Sequence, residues 1–300
     1  MLKSWIIAFR LRTLPLALAS IGMGTFLAAA DGHFSWPIFA FCALTTVLLQ
    51  ILSNLANDYG DTVNGADSEH RSGPSRTVQA GLISLKEMKR AIGIFVVLTL
   101  ASGIYLLYLS FGFELQAFLF FFALGIAAIG AALAYTAGRK PYGYIGLGDL
   151  SVLVFFGFVA VLGSYYLYAG SLRPGLALPA ITIGLFSTAV LNVNNIRDIE
   201  SDKKAGKYSI PVRIGRENAV IYHWAILATG LACALIFVFL NYSGPGQLLF
   251  LLTLPLLFIN AKAVQTKKTS GQLDPYLKQM ALASLLFVVL FGIGQLLPIS

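Results

Sequence analysis

Charge is the scarcest property of this chain. Only 11% of its 300 residues are Asp, Glu, Lys or Arg, whereas a soluble domain carries about 25%. That excludes an ordinary water-soluble globule. With 57% hydrophobic residues and a mean hydropathy of +0.78, the composition is that of a chain immersed in a bilayer. Cysteine is nearly absent: Cys42 and Cys233 each lie inside an apolar run, match no zinc spacing, and read as small packing residues. Three scattered histidines, His33, His70 and His223, form no metal motif either. The net charge of +8 is carried by so few groups that loop cations fixing membrane orientation explain it, and no nucleic-acid partner is expected.

Apolar runs long enough to span fall near 14–31, 36–58, 89–109, 115–136 and 150–169, then near 175–198, 219–241, 246–264 and 279–298. The sequence thus predicts an all-α membrane protein of nine transmembrane helices forming one domain, residues 1–300. Lys3, Arg10 and Arg12 ahead of Ala28-Ala29-Ala30 imitate a signal peptide, but the eight spans that follow favour an uncleaved first helix. Of the 21 Lys and Arg, all but Arg173 fall at the N-terminus, at the end of the sixth run or in the loops after the second, fourth, sixth and eighth. Positive-inside bias then predicts a cell-membrane protein with N-terminus and long loops cytoplasmic and C-terminus outside. Two of those loops, 59–88 and 199–218, exceed what a connection requires and are expected to carry function. The segment "AKAVQTKKTSGQLDPYLKQ" reads as an ordinary basic linker.

Two apolar runs end in polar motifs of the same kind, "NLANDYGD" at 54–61 and "NVNNIRDIESDKKAGK" from 192. Asn54 and Asp58 are four apart, as are Asn194 and Asp198, and four residues advance only about 40° around a helix. Asp61 and Asp202 follow close to the same faces. Carboxylates at a helix C-terminus are disfavoured by roughly 0.3–1 kcal/mol each. Two of them about 5 Å apart repel by about 3 kcal/mol at an effective dielectric near 20. A cation between the columns relieves this, and oxygen ligands without sulfur or imidazole point to Mg²⁺ on Asp58, Asp61, Asp198 and Asp202. The alternative is two solvated helix ends whose acids pair with nearby lysines.

The loops add cations suited to phosphate. Arg71 and Arg76 flank a Gly-Pro turn, Lys203, Lys204, Lys207, Arg213 and Arg216 follow the second motif, and Arg139 and Lys140 follow the fourth run. Metal carboxylates ringed by Arg and Lys are what a diphosphate requires. Arg71, Arg76, Lys140 and Lys207, each beside a turn, are the functional candidates, whereas Lys86, Lys89 and Arg90 read as membrane anchors. "GYIGLGD" lacks the strand–helix setting of a nucleotide fingerprint and reads as a turn. Asp149 within it fits either a helix N-cap or a catalytic acid.

"NLANDYGD", "RSGPSRTVQAG", "YTAGRKPYGYIGLGD" and "NNIRDIESDKKAGK" through "PVRIG" resemble the UbiA-type membrane prenyltransferases, and "RTLP" at 12–15 fits too. The resemblance covers essentially the whole chain. It implies nine helices around a central cavity with cytoplasmic cap loops. It also implies Mg²⁺ and the diphosphate of a polyprenyl diphosphate held by Asp58, Asp61, Asp198 and Asp202. Lys140 is expected to share in catalysis, and Asn54, Asn194, Arg71, Arg76, Lys207 and Tyr135 in substrate binding. Tyr135, Phe155 and Phe156 are candidate aromatic liners facing an allylic cation. One departure is Gly65, where the family pattern has a third aspartate; Asp67 lies two residues on. The "GPSR" stretch resembles the branch whose acceptor is 1,4-dihydroxy-2-naphthoate, prenylated with loss of CO₂. Another acceptor such as 4-hydroxybenzoate shares every donor-site residue, and a transporter is the alternative class for intramembrane carboxylates.

Overall fold

In the computed structural model, which describes residues 2–65, 76–138 and 141–297, the apolar runs become helix throughout and no strand occurs among the described residues. Nine helical segments there are long and apolar enough to cross a bilayer. They are Leu2–Ala30, Trp36–Val63, Leu85–Phe111, Leu115–Ala134, Gly148–Ala169, Ala177–Arg197, Ile210–Leu240, Pro245–Thr266 and Ser270–Leu296.

Several helices outrun their hydropathy signal. The first begins at Leu2 and breaks at Arg10, the single described non-glycine residue with positive φ (48°), before restarting at Leu14. Pro15 accounts for the restart, since its ring clashes with the preceding turn and removes a donor. The second span continues to Val63, which puts Asp58 and Asp61 on regular helix. After the sixth comes a short helix, Ile199–Lys204, and the seventh starts at Ile210 with a kink at Gly215 (φ 78°). The expected basic linker after the eighth span is not one. Helix runs through Thr266 and resumes at Ser270 behind a Thr269/Gln272 capping box. Local capping outweighs the low hydropathy there.

Small residues set the closest approaches. An added Cβ on Gly157 would fall 2.7 Å from the Ala180 carbonyl oxygen, so the fifth and sixth spans touch backbone to backbone. Phe26 lies over Gly292, joining the first and ninth. Gly60 lets the second span close on Thr136, whose backbone would stand 2.6 Å from an added Cβ. Phe186, Phe237, Phe250, Phe287 and Phe291 fill the core of the carboxy-terminal half. The fifth span carries a π-helical stretch, Leu153–Leu162, a form found mostly at functional sites. Among the described residues the backbones of the fourth and fifth spans make few close approaches. Tyr142 of the connecting turn bridges them, its hydroxyl donating to the Ala131 carbonyl at 2.9 Å and lying 3.0 Å from Ser151 Oγ, and the Phe121 and Tyr166 rings meet at 5.2 Å.

Several polar groups within the helices are paired, which a bilayer favours. His223 lies between Asn192 (3.3 Å) and Asn260 (3.0 Å), and Asn260 donates onward to Gln279 at 2.6 Å. It is a satisfied core histidine. At the opposite end, Arg173 donates to Asp31 at 2.6 Å, and Tyr165 donates to the same oxygen at 2.7 Å.

Candidate active site

The helices enclose a cavity of about 480 Å³. Its walls come from the first six spans, with Arg76, Tyr135, Tyr142 and Lys207 of the connecting segments and Leu277 of the ninth. From Cys42 to Asp61, both lining residues of one helix, it reaches about 28 Å at 1.5 Å per residue. The body is apolar and includes Phe155, Phe156 and Tyr135. One end is polar, and there the two motifs converge.

The first motif presents a different face from the one anticipated. Asn57 and Asp61 line the cavity, and Asp58 does not. The Asp58 carboxylate accepts from Thr77 Oγ1 at 2.6 Å and from the Thr77 and Val78 amides at 3.2 and 3.4 Å. It therefore caps the turn that follows Arg76. Asn54 reaches the wall, but its amide donates to the Phe9 carbonyl (2.9 Å) and Thr13 Oγ1 (3.0 Å), tying the second span to the break in the first. Asn57 and Asp61 are also four apart, so spacing alone could not choose between the pairs. The helix is turned by the approach of Gly60 to Thr136, whose hydroxyl donates to Asn57 Oδ1 at 3.0 Å. Asp61 then accepts from Tyr144 at 2.8 Å and pairs with Arg76 at 2.5 Å. Arg76 also donates to the Asn57 carbonyl.

In the second motif Arg197 organises the acids. It forks onto Asp198 at 2.8 and 2.6 Å, donates to Asn194 at 2.9 Å, and reaches Asp274 at 2.6 Å. Lys207 is brought back by a turn through Gly206 (φ 72°), where the Lys207 amide donates to the Asp202 carbonyl at 2.8 Å. Its ammonium lies 3.3 and 3.2 Å from the two Asp202 carboxylate oxygens. Burial pushes the Asp202 carboxyl up to about 6 against the pull of Lys207, and Asp198 and Asp61 add to the rise. Burial works against the Lys207 charge, but Asp202 and Asp61 outweigh it and hold the ammonium protonated well above its ordinary range. The two motifs therefore share one electrostatic site, and Tyr135 lies in its field.

Among the described residues no three Asp, Glu, His or Cys side chains form a ready cluster for a metal. Three of the motif acids instead face a cation: Asp61 Arg76, Asp198 Arg197 and Asp202 Lys207. These cations neutralise the acids from within the chain. The donor set still fits a hard divalent ion. It consists of carboxylate and amide oxygens, and buried Asp202 Oδ2, 3.2 Å from the Lys207 ammonium, accepts no hydrogen bond.

Arg71, Arg139, Lys140, Asp67 and His70 lie outside the described residues. Asp149 is not an N-cap, a position held by Leu147; its carboxylate is buried and accepts from Tyr222 at 2.9 Å. Sequence reasoning missed Asn57 and Tyr144, and it read Arg10 and Arg12 only as flanking charge. Both arginines line the cavity mouth. The break that places them follows from the left-handed backbone at Arg10, and a backbone angle is not legible in sequence.

The UbiA prenyltransferase family matches residues 16–293. A 1,4-dihydroxy-2-naphthoate octaprenyltransferase of Haemophilus influenzae is 46% identical over 299 residues, covering 99% of this chain and 96% of that protein. The enzyme of the same name from Escherichia coli K12 is 47% identical over 293 residues, 97% and 94% of the two chains. The fold resembles that of a UbiA homologue from Aeropyrum pernix (TM-score 0.69, 18% identity, 94% and 96% covered). It also resembles a homologue from Archaeoglobus fulgidus bound to DMAPP and Mg²⁺ (TM-score 0.61, 18% identity, 95% and 98% covered). The chain belongs to the UbiA prenyltransferase family and is a multi-pass membrane protein.

Proposed function

We propose that this protein transfers a polyprenyl chain from polyprenyl diphosphate to 1,4-dihydroxy-2-naphthoate, with loss of CO₂, in a reaction that depends on Mg²⁺. One observation carries the reading: a long apolar cavity ends in a mouth lined by Asn57, Asp61 and Asn194 together with Arg76, Arg197 and Lys207, the last two paired with Asp198 and Asp202. The names of the relatives at 46% and 47% identity support the acceptor.

Asn57, Asp61, Asn194, Asp198 and Asp202 would hold Mg²⁺, which when bound neutralises diphosphate oxygens. Arg76, Lys207, Arg197, Arg10 and Arg12 surround the same mouth and bind the remaining phosphate charge. As the allylic C–O bond breaks, its electron pair leaves with diphosphate. Tyr135, Phe155 and Phe156 offer ring faces to the carbon that becomes cationic, and the apolar walls exclude water that would quench it. The naphthoate ring supplies the electron pair for the new C–C bond, and release of the carboxylate as CO₂ restores aromaticity. The parting of the fourth and fifth spans gives the tail a way to the bilayer. Asp58 serves the first motif by fixing the turn that carries Arg76.

Purified protein given octaprenyl diphosphate, Mg²⁺ and 1,4-dihydroxy-2-naphthoate is expected to release CO₂ and diphosphate and to yield a prenylated product without the carboxylate. 4-Hydroxybenzoate is expected to react at least about tenfold more slowly, because the second ring buries more apolar area at about 25 cal/mol per Å². Equal rates, or a product that keeps its carboxylate, would refute the acceptor assignment.

The polar mouth would face the cytoplasm and the C-terminus the outside. The distribution of Lys and Arg supports this, and the exception, Arg173, is neutralised by Asp31. Cysteine at Gly206 (Gly206→Cys) should react with an impermeant reagent only from the cytoplasmic side, and Gly244→Cys only from outside. Outside labelling of Gly206→Cys would invert the topology.

A further inference from the structure

Asp274 lies in the segment whose sequence reads as a plain linker, in the second turn of the ninth span. Its Oδ1 accepts from Arg197 at 2.6 Å and its Oδ2 from Arg12 at 3.1 Å. One turn away, Ser270 donates to the Arg197 carbonyl at 2.9 Å, so the start of this helix docks twice on the end of the sixth. Leu277, three residues on, is already cavity wall. Asp274 thus joins the break in the first span to the second motif, at the mouth of the cavity.

The Arg197 side chain is 1% exposed, whereas Asp274 is 28% exposed. A guanidinium that deep is destabilising unless a carboxylate faces it. Arg197 has two such partners, the fork to Asp198 and the single bond to Asp274. Asp198 can turn its oxygens toward an incoming cation only if Arg197 keeps a counter-charge. Asp274 is placed to be that counter-charge. Without it, Arg197 would be neutralised by Asp198 alone and would compete with the metal for that carboxylate.

We propose that Asp274 is a positioning residue that holds Arg197, so that Asp198 is released to the divalent cation and the diphosphate. This rests on the Mg²⁺-dependent reading above.

The test is the Mg²⁺ concentration giving half-maximal thermal stabilisation of purified protein in detergent, with no substrate present. Asp274→Asn should raise that concentration roughly tenfold, the scale of one charge-assisted hydrogen bond, and Asp274→Glu should restore most of it. In turnover assays Asp274→Asn should raise the Mg²⁺ requirement and the donor KM, leaving kcat at saturating Mg²⁺ within about twofold, as expected when an interaction made equally in ground and transition states is lost. Arg12→Gln leaves Asp274 wholly to Arg197, so the Mg²⁺ midpoint should not rise; that variant tests the idea even if Asp274→Asn fails to fold. An unchanged midpoint in Asp274→Asn, with only a lower melting temperature without Mg²⁺, would make Asp274 a mere clasp and overturn the proposal. So would a rise in Arg12→Gln. Wild-type protein that shows no stabilisation by Mg²⁺, with or without inorganic diphosphate, would instead refute the metal-dependent reading itself.

Discussion

Asp61→Asn should lower kcat for prenyl transfer by about 10³-fold, because its carboxylate is placed to meet the charge of the leaving diphosphate and an amide cannot replace it. The side chain is buried, lines the cavity, and pairs with Arg76 at 2.5 Å. Asparagine has the same shape and can still accept from Tyr144, so the local backbone should hold. Arg76 loses its carboxylate partner in a nearly closed site, which should reduce stability by about 3 kcal/mol. The comparison variant is Asp58→Asn. Asn there can still accept from Thr77, so the loss should be smaller, about ten- to a hundredfold, and should act by loosening the turn that carries Arg76. Measuring turnover beside Mg²⁺-induced stabilisation separates the two. Mg²⁺ response should vanish in Asp61→Asn and persist in Asp58→Asn. The reverse pattern would return the metal to the Asn54–Asp58 face.

The second large effect belongs to Lys207. Lys207→Met keeps the length and the apolar stem but removes the ammonium beside Asp202 and Asp61. In a site this dry, a cation aimed at phosphate has no solvent substitute. We expect kcat/KM for the donor to fall by about 10²–10³-fold, with most of the loss in kcat. Lys207→Arg should recover only part of it, because a planar fork does not fit the turn that brings a point charge to Asp202. Binding of inorganic diphosphate to the metal-loaded protein should weaken in parallel. An unchanged donor KM and kcat in Lys207→Met would confine Lys207 to a structural pair with Asp202.

Much of this protein was written in its hydropathy. Runs of apolar residues longer than a bilayer is thick satisfy their backbone as helix, and among the described residues they form nine membrane-length helices. The two acidic motifs were visible because carboxylates at the ends of such helices are unfavourable without a partner. The rotation of those helices was not visible. Asn54 with Asp58 and Asn57 with Asp61 share one spacing. Which pair faces the cavity depends on Gly60 closing on Thr136 and on Asn54 gripping the break near Phe9 and Thr13. Nor could sequence show that Asp274 serves Arg197 across 77 residues and Arg12 across 262. The chain alone determines helix number and chemical type, because these follow from local transfer free energy and composition. Tertiary structure decides which oxygen meets which cation, because a rotation of about 100° per residue carries a side chain from the cavity to the packing face.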